Sequence, residues 1–294
     1  NFNFQYFNRR LSNTLIGTIL LILTYLFFSV MELTAKELAL RFNPFLIVFA
    51  RYLSQLILLL IIFNKQFKTH LKSNHKPLQI LRGALLMITT CFMFTGLAYL
   101  QFAENISIYM IGPVITTILA ILILKEKISF TQILVVIIGL IGALIIASPN
   151  KGAFNYAVIF PFLAALCFAF FTISTKFLNT SDSNQTTLLF TAITGTILSL
   201  PFIIYFWKWP NLYDTLLMFC LGFLATAGHF LFIEALKVIN ASFAAPFVYL
   251  TVLLAAFWGY ILYNEVPSQN TFIGAFLIIT SGFIITRFKK KNLK

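Results

Sequence analysis

Ten long stretches of this chain are almost free of charged side chains, and this feature limits its fold more than any other. Nine contain no Asp, Glu, Lys or Arg, and the one at 42–64 is interrupted only by Arg51. Each can form a helix of about 20 residues, the length that crosses a hydrocarbon layer about 30 Å thick. The stretches are residues 11–31, 42–64, 83–103, 105–124, 128–150, 152–175, 183–207, 215–233, 238–264 and 266–286.

The character of these stretches favours membrane helices over membrane strands. They are continuous runs of Ile, Leu and Phe, whereas barrel strands are about 10 residues long and alternate in polarity. Apolar residues make up 60% of the 294 and charged residues 10%, against about 45–50% and 25% in soluble proteins. These figures exclude a soluble enzyme, a disordered chain and a coiled coil. We predict an all-α integral membrane protein with ten transmembrane helices.

Basic residues are distributed unequally over the predicted loops. If every stretch crosses the membrane, 16 of the 21 Lys and Arg lie on one side and 4 on the other. Cytoplasmic loops are enriched in Lys and Arg, so we expect both termini to be cytoplasmic. The first stretch follows Arg9 and Arg10 as a signal peptide would, but no small-residue cleavage site precedes Glu32, and we expect it to be retained. The net charge of +13 is thereby explained by orientation, and we predict no nucleic-acid partner.

Cysteine usage and short motifs give no sign of a metal or a cofactor. Cys91, Cys167 and Cys220 are far apart, form no CxxC pair and lie in apolar stretches, where free cysteine packs as a small hydrophobe. The sequence contains no Walker loop, no HExxH and no GxSxG. We therefore expect neither ATP hydrolysis nor enzymatic activity.

The chain also contains a weak internal repeat. Residues 112–129 (GPVITTILAILILKEKIS) resemble residues 251–268 (TVLLAAFWGYILYNEVPS), and the match pairs Glu126 with Glu265. The period is about 140 residues and contains five predicted spans. Because five is odd, the second copy would enter the membrane from the opposite side, which is the inverted-topology repeat of secondary transporters.

The same repeat predicts a chain divided into two similar halves. Lys36 and Lys176 occupy corresponding places, in MELTAKELA and FTISTKFLN. We predict one five-helix repeat over residues 1–150 and a second over 151–294, with a basic cytoplasmic tail.

These motifs resemble the drug/metabolite transporter superfamily in its EamA-type branch. Pro113 stands thirteen residues before Glu126 in the first half, and Gly139 and Gly142 follow in the next stretch. The second half is similar at Glu265, Gly274 and Gly282. It departs from the pattern where Val252 replaces the second proline, with Pro246 standing earlier.

Two segments narrow the resemblance to a subgroup. Residues 75–86 and 244–267 are similar to carriers that include the S-adenosylmethionine uptake transporters of intracellular bacteria. The resemblance implies a multi-pass carrier of the bacterial inner membrane that works by alternating access around a cavity lined by spans 1, 3, 4, 6, 8 and 9. It implies a small-molecule solute and the lipid bilayer as partners, with a monomer or homodimer as the assembly.

Charged residues inside a span need a reason, since each costs roughly 2.5–3.5 kcal/mol on insertion scales. Glu32 and Lys36 lie four residues apart on one helix face, where they could bind opposite ends of a zwitterionic solute or pair with each other. For Arg51 we favour a structural role beside Glu32 or Glu37. Arg82 is expected to be an orientation signal at the cytoplasmic edge.

Several uncharged or titratable side chains complete the candidate site. His229 is the one histidine inside a span, and it either takes part in proton coupling or forms a hydrogen bond to a neighbouring helix. The polar residues Tyr99, Asn105, Tyr109 and Tyr249 either bind the solute or join helices.

Two prolines are the candidate hinges. Pro113 and Pro246 remove backbone hydrogen bonds from their spans, which produces either a hinge or a static bend.

These observations predict a secondary-active transporter of a small polar organic metabolite, with S-adenosylmethionine uptake or exchange as the best single candidate. An exporter of amino acids or drugs remains open, because alternating access is reversible. A lipid-modifying membrane enzyme is the alternative from another class, and it would require a cluster of His, Asp or Glu at one membrane face. A channel would assemble rings of one residue type from several subunits.

Overall fold

The computed structural model describes residues 4–99, 102–147, 156–263 and 269–291, and within these ranges the chain is helical apart from short turns. Three 3₁₀ segments, Asn64–Gln66, Tyr156–Val158 and Ala245–Tyr249, join or precede α-helices. In chain order the α-helices are α1 (Phe4–Ala39), α2 (Pro44–Phe63), α3 (Phe67–His70), α4 (Lys76–Tyr99), α5 (Phe102–Tyr109), α6 (Gly112–Leu122), α7 (Phe130–Ala147), α8 (Ile159–Leu178), α9 (Asn184–Phe206), α10 (Leu212–Val238), α11 (Ala241–Ala244), α12 (Leu250–Tyr263) and α13 (Gln269–Lys291).

Seven helical segments in the described ranges are long and apolar enough to cross a membrane. They are Asn13–Ala39, Pro44–Phe63, Lys76–Gly96, Tyr156–Leu178, Asn184–Phe206, Leu212–Val238 and Ala241–Leu262. Three shorter apolar helices, Gly112–Leu122, Phe130–Ile145 and Phe272–Ser281, fall within the other three predicted spans. The all-helical membrane fold is therefore confirmed with seven such segments, and the count of ten and the inverted repeat stay predictions.

The two halves of the chain pack against each other rather than forming separate cores. The most extensive contacts join α1 to α10, α7 to α13, α4 to α8 and α9, and α2 to α9 and α10. One buried apolar cluster contains Leu21 and Phe28 from the first half and Phe171 and Tyr249 from the second. The predicted boundary at residue 150 lies outside the described residues.

Close approach of α10 to α2 requires a glycine. A Cβ placed on Gly222 would lie 2.4 Å from the Cβ of Ser54 and 2.7 Å from the backbone nitrogen of Gln55. Side chains in a packed interior keep larger separations, and a rigid helix backbone cannot give way by so much. Gly222 thus allows these two helices from opposite halves to touch.

Both prolines coincide with interruptions of helical geometry. Pro113 lies in the first turn of α6, separated from α5 by a turn at 110–111. Pro246 lies in the first turn of the 3₁₀ segment Ala245–Tyr249, between α11 and α12. Because proline has no backbone N–H and clashes with the preceding turn, each ends one helix and begins the next.

Loop contacts define two ends of the bundle. At one end, which we call the open end, Lys208 Nζ donates to the carbonyl of Arg41 at 3.0 Å, and Arg41 Nε lies 2.8 Å from Asp214 Oδ1. The opposite end, which we call the closed end, brings together the loops at 64–75, 123–129, 179–183 and 239–240.

Polar contacts hold the loops of the closed end together. Gln79 Nε2 donates to Asp182 Oδ2 at 2.8 Å, and the hydroxyl of Ser73 donates to the same carboxylate. Partial burial disfavours the charge of Asp182, but these bonds and one from the Asn74 backbone outweigh it and lower the pKa of the carboxyl. The loop between α3 and α4 is therefore bound to the loop after α8.

Substitution of Gly222 tests the packing of the two halves. We expect Gly222→Ala to destabilise the protein by about 1–3 kcal/mol, the usual cost of overpacking, and to lower the midpoint of thermal unfolding in detergent. Gly112→Ala is the matched control, because its Cβ would lie 3.6 Å from the nearest atom, an ordinary contact. Equal midpoints for the two variants would contradict the proposed close approach.

Candidate functional site

A cavity of about 490 Å³ lies inside the helix bundle. Its volume is in the range of about 300–1,000 Å³ that small-molecule sites occupy. Helices α1, α2, α4, α5, α8, α10 and α12 line it, together with residue 248. The walls are mainly apolar, and the polar or charged side chains among the lining residues are Tyr25, Glu32, Lys36, Arg51, Thr89, Thr90, Tyr109, His229 and Thr251.

The cavity reaches the open end and stops short of the closed end. Ala39, Leu40 and Pro44 line it beside the turn between α1 and α2, and Leu40 is 77% exposed. Leu86 and Phe168 line its deeper part. The cavity therefore extends to the turn between α1 and α2 at the open end.

Charges of both signs stand in the cavity wall. Glu32 and Lys36 belong to α1, one helical turn apart, and Arg51 belongs to α2. In surroundings that are otherwise apolar, such groups interact more strongly with a charged ligand than they would in water. The cavity thus offers separate binding groups for an anionic and a cationic part of one solute.

Arg51 is oriented by neutral partners. Its Nη2 lies 2.8 Å from His229 Nε2 on α10, and its Nη1 donates to the Thr90 hydroxyl on α4 at 3.4 Å. The guanidinium also lies over the ring of Tyr52, 4.5 Å from its centroid, a cation–π distance. The ion pairs of the described residues do not include Arg51.

This geometry assigns the protonation of His229. A guanidinium has only donors, so Nε2 of the imidazole accepts the hydrogen bond and the ring proton is on Nδ1. The ring is held by Phe28, at 4.8 Å between centroids, and by Phe171, at 5.8 Å. His229 therefore orients Arg51 in a neutral form and leaves its positive charge uncompensated.

The structure brings four of the seven predicted solute-binding residues to the cavity. These are Glu32, Lys36, Tyr109 and His229. Tyr109 also packs its ring against Phe168, at 6.0 Å between centroids.

The other three predicted residues occupy other surroundings. Tyr99 is 67% exposed and faces Phe160. Asn105 is fully buried and donates to the Met93 carbonyl at 3.3 Å. Tyr249, also fully buried, donates its hydroxyl to the Val136 carbonyl at 3.0 Å. The contacts of Asn105 and Tyr249 join helices.

The partners of Arg51 differ from those that the sequence predicts. Glu32 and Glu37 are the predicted partners, but Glu37 lies 3.1 Å from Arg41 at the open end and Arg51 contacts His229. One signal was available, since Arg51 is the single charge in an otherwise uncharged span. The spacing of residues along the chain could not show that His229, 178 residues away, faces it.

Both candidate hinge residues, Pro113 and Pro246, are buried at their helix interruptions. Glu265, the repeat counterpart of Glu126, lies outside the described residues. Among the described residues, no group of three His, Cys, Asp or Glu side chains lies together as a metal site.

The chain is similar to known proteins in both of its halves. The profile of the EamA-like transporter family matches residues 15–148 and again residues 155–287. The chain belongs to the EamA-like transporter family. The two matches mean that the family's unit occurs twice in the chain. Because the described residues also include seven helical segments able to cross a membrane, this family member is a multi-pass membrane transporter.

Individual relatives are similar over nearly the whole chain. The S-adenosylmethionine uptake transporter of Rickettsia prowazekii (strain Madrid E) is 28% identical over 97% of this chain and 97% of its own. That of Rickettsia bellii (strain RML369-C) is 30% identical over 89% and 90%. A solved crystal structure matches with a TM-score of 0.80 and 16% identity, covering 94% of this chain and 97% of the other, which establishes the fold alone.

Two tyrosines allow the same substitution inside and outside the cavity. We expect Tyr249→Phe to lower stability by about 1 kcal/mol through loss of its bond to Val136, while solute affinity stays unchanged. Tyr109→Phe should lower solute affinity at nearly unchanged stability. Thermal unfolding and equilibrium ligand binding, measured on both proteins, check this, and the reverse pattern would overturn the division.

Proposed function

We propose that this transporter moves S-adenosylmethionine, or a solute with the same zwitterionic and cationic chemistry, across the bacterial inner membrane. The observation that favours this solute is that the acidic Glu32 and the basic Arg51 and Lys36 line one mainly apolar cavity. The solute's carboxylate would bind Arg51 and Lys36, and its cationic groups would bind Glu32. The names of the relatives support the same solute.

The cavity chemistry fits this solute in two further respects. A carboxylate can accept two parallel hydrogen bonds from a guanidinium, which gives both strength and orientation. The adenine ring of S-adenosylmethionine would lie against aromatic side chains of the cavity wall, among them Tyr25, Phe28 and Phe168, where stacking is favourable. Transport leaves the solute chemically unchanged, in contrast to the action of a lipid-modifying enzyme.

We propose ten spans with both termini in the cytoplasm, arranged as two inverted five-helix repeats. The two family matches support the repeat, and the excess of Lys and Arg on one side supports the orientation. The open end then faces away from the cytoplasm, and the described conformation is ready to load solute from outside.

Two side chains would keep the closed end shut. Glu126 accepts hydrogen bonds from the backbone N–H groups of Ala241 and Ser242, at 3.0 and 3.1 Å, and from the Ser242 hydroxyl at 2.5 Å. Lys176 donates to the carbonyls of Leu236 and Ile239, both at 2.6 Å. The end of α10, the connection after it and the start of α11 are thus bound by one residue from each half of the chain.

Alternating access would require these bonds to break in turn. Pro113 follows α5, and Pro246 follows α11, so both lie where a helix can bend without losing regular hydrogen bonds. We propose that they are the hinges about which α6 and α12 move. The inverted repeat would then place Lys36 and Glu265 in the corresponding roles at the open end.

Uptake into proteoliposomes tests the proposed solute. We expect saturable uptake of labelled S-adenosylmethionine, accelerated by unlabelled solute inside and recovered chemically intact. Glu32→Gln and Lys36→Met should each reduce uptake by about tenfold or more through loss of a charge-assisted contact. Glu37→Gln is the matched control, because its partner Arg41 lies outside the cavity wall.

The results of this experiment test the identity of the solute separately from membership of the transporter family. No uptake by folded wild-type protein would reject S-adenosylmethionine and leave the transporter family in place. Wild-type rates in folded Glu32→Gln and Lys36→Met would reject their role in binding.

Glu126→Gln tests the closed end. A neutral amide weakens the bonds to 241–242, so the inward-open conformation should gain population. A cysteine introduced at Leu86, in a protein lacking its native cysteines, should then react several-fold faster with an impermeant thiol reagent applied from the cytoplasmic side. Glu37→Gln again serves as control, and equal rates in both variants would count against a role of Glu126 in closure.

A further inference from the structure

Arg82 is a second arginine inside the bundle, and the cavity does not use it. Its side chain is fully buried, six residues after the start of α4. At a rise of about 1.5 Å per residue it lies about 9 Å inside that helix end. The expected role as a signal at the membrane edge therefore does not match its position.

The guanidinium of Arg82 has its orientation fixed by hydroxyl groups. Its Nε donates to Thr175 Oγ1 on α8 at 2.7 Å, and its Nη1 donates to Thr191 Oγ1 on α9 at 2.5 Å. Both hydroxyls already donate to backbone carbonyls of their own helices. The proton of each hydroxyl is therefore already used within its own helix, and the oxygen accepts the hydrogen bond from Arg82.

One edge of this guanidinium is unused. Arg82 Nη2 is buried and has no hydrogen-bond partner, and the ion pairs of the described ranges do not include Arg82. Burying an unpaired cation is costly. A transient anionic partner would explain why the charge is kept there.

Arg82 lies on the line of residues that forms the cavity wall. Leu86 and Thr90, which line the cavity, follow it at intervals of four residues and so share its helix face. On α8, Phe168 lines the cavity, and Thr175, the partner of Arg82, follows seven residues later on the same face. Arg82 therefore stands one turn beyond the inner limit of the cavity.

A layer of aromatic rings separates Arg82 from the cavity. The ring of Phe171 lies 4.4 Å from the Arg82 guanidinium carbon and 5.8 Å from the ring of His229. Phe168 and Phe232 pack around Phe171 at 5.6 and 6.1 Å between centroids. A series of contacts thus runs from Arg51 through His229 and Phe171 to Arg82.

We propose that Arg82 is the inner binding residue for the anionic group of the transported solute. Arg51 would bind this group when the cavity is open as described here, and Arg82 would bind it once Phe171 moves aside and the opposite end opens. The proposal rests on the proposed function. It gives the solute one guanidinium in the cavity and a second one nearer the closed end, linked by contacts through His229 and Phe171.

Affinity measured separately from the two sides tests this assignment. The protein is reconstituted in a single orientation, and half-saturating S-adenosylmethionine concentrations are measured for uptake from outside and for efflux from loaded liposomes. Arg82→Gln should raise the inner value by about tenfold or more and change the outer value by less than about twofold. Arg51→Gln should give the opposite asymmetry.

Further variants distinguish a binding role from a structural one. Arg82→Lys keeps the charge but loses the planar fork, so it should give an intermediate inner value, and it replaces Arg82→Gln if that protein does not fold. Arg41→Gln, at the open-end surface, is the matched control and should leave the inner value unchanged.

The outcomes distinguish failure of the Arg82 proposal from failure of the proposed function. Equal changes on both sides, or an unchanged inner value in folded Arg82 variants, would overturn the role of Arg82 and leave the proposed function intact. Absence of S-adenosylmethionine transport by the wild-type protein would overturn both.

Discussion

Packing between helices of opposite halves is the interaction on which the cavity depends. The cavity is lined by α1, α2, α4 and α5 from the first half and by α8, α10 and α12 from the second. Gly222 lets α10 approach α2 closely, and His229 of α10 contacts Arg51 of α2. Neither half alone encloses the site. A rearrangement of one half against the other must therefore change the cavity, which is what alternating access requires.

The absence of water in a bilayer decides how the polar groups are arranged. Thr24, Thr89, Thr172 and Ser199 donate to carbonyls one turn earlier in their own helices, which satisfies the hydroxyl without a partner helix. Charged groups cannot be satisfied in this way. Where the structure describes them, they lie in the cavity, at the ends of the bundle, or, in the case of Arg82, one turn beyond the cavity.

The sequence predicted what depends on length and on local chemistry. Uncharged stretches located the helices, because a bilayer requires about 20 apolar residues, and Pro113 and Pro246 marked the interruptions because proline lacks an N–H. Three-dimensional proximity was harder to predict. Tyr249 and Tyr109 have the same side chain in similar apolar surroundings, yet one joins helices and the other lines the cavity, and only the packing of the two halves separates them.

The choice of neutral partners for Arg51 bears on how a carrier binds and releases an anion. A carboxylate of the protein beside Arg51 would neutralise it and compete with the solute. His229 and Thr90 instead fix the direction of the guanidinium while its charge stays available. Thr175 and Thr191 do the same for Arg82. Binding of an anion at either residue, as proposed, would gain from this preorganisation, and neither residue would have to give up a permanent ion pair first.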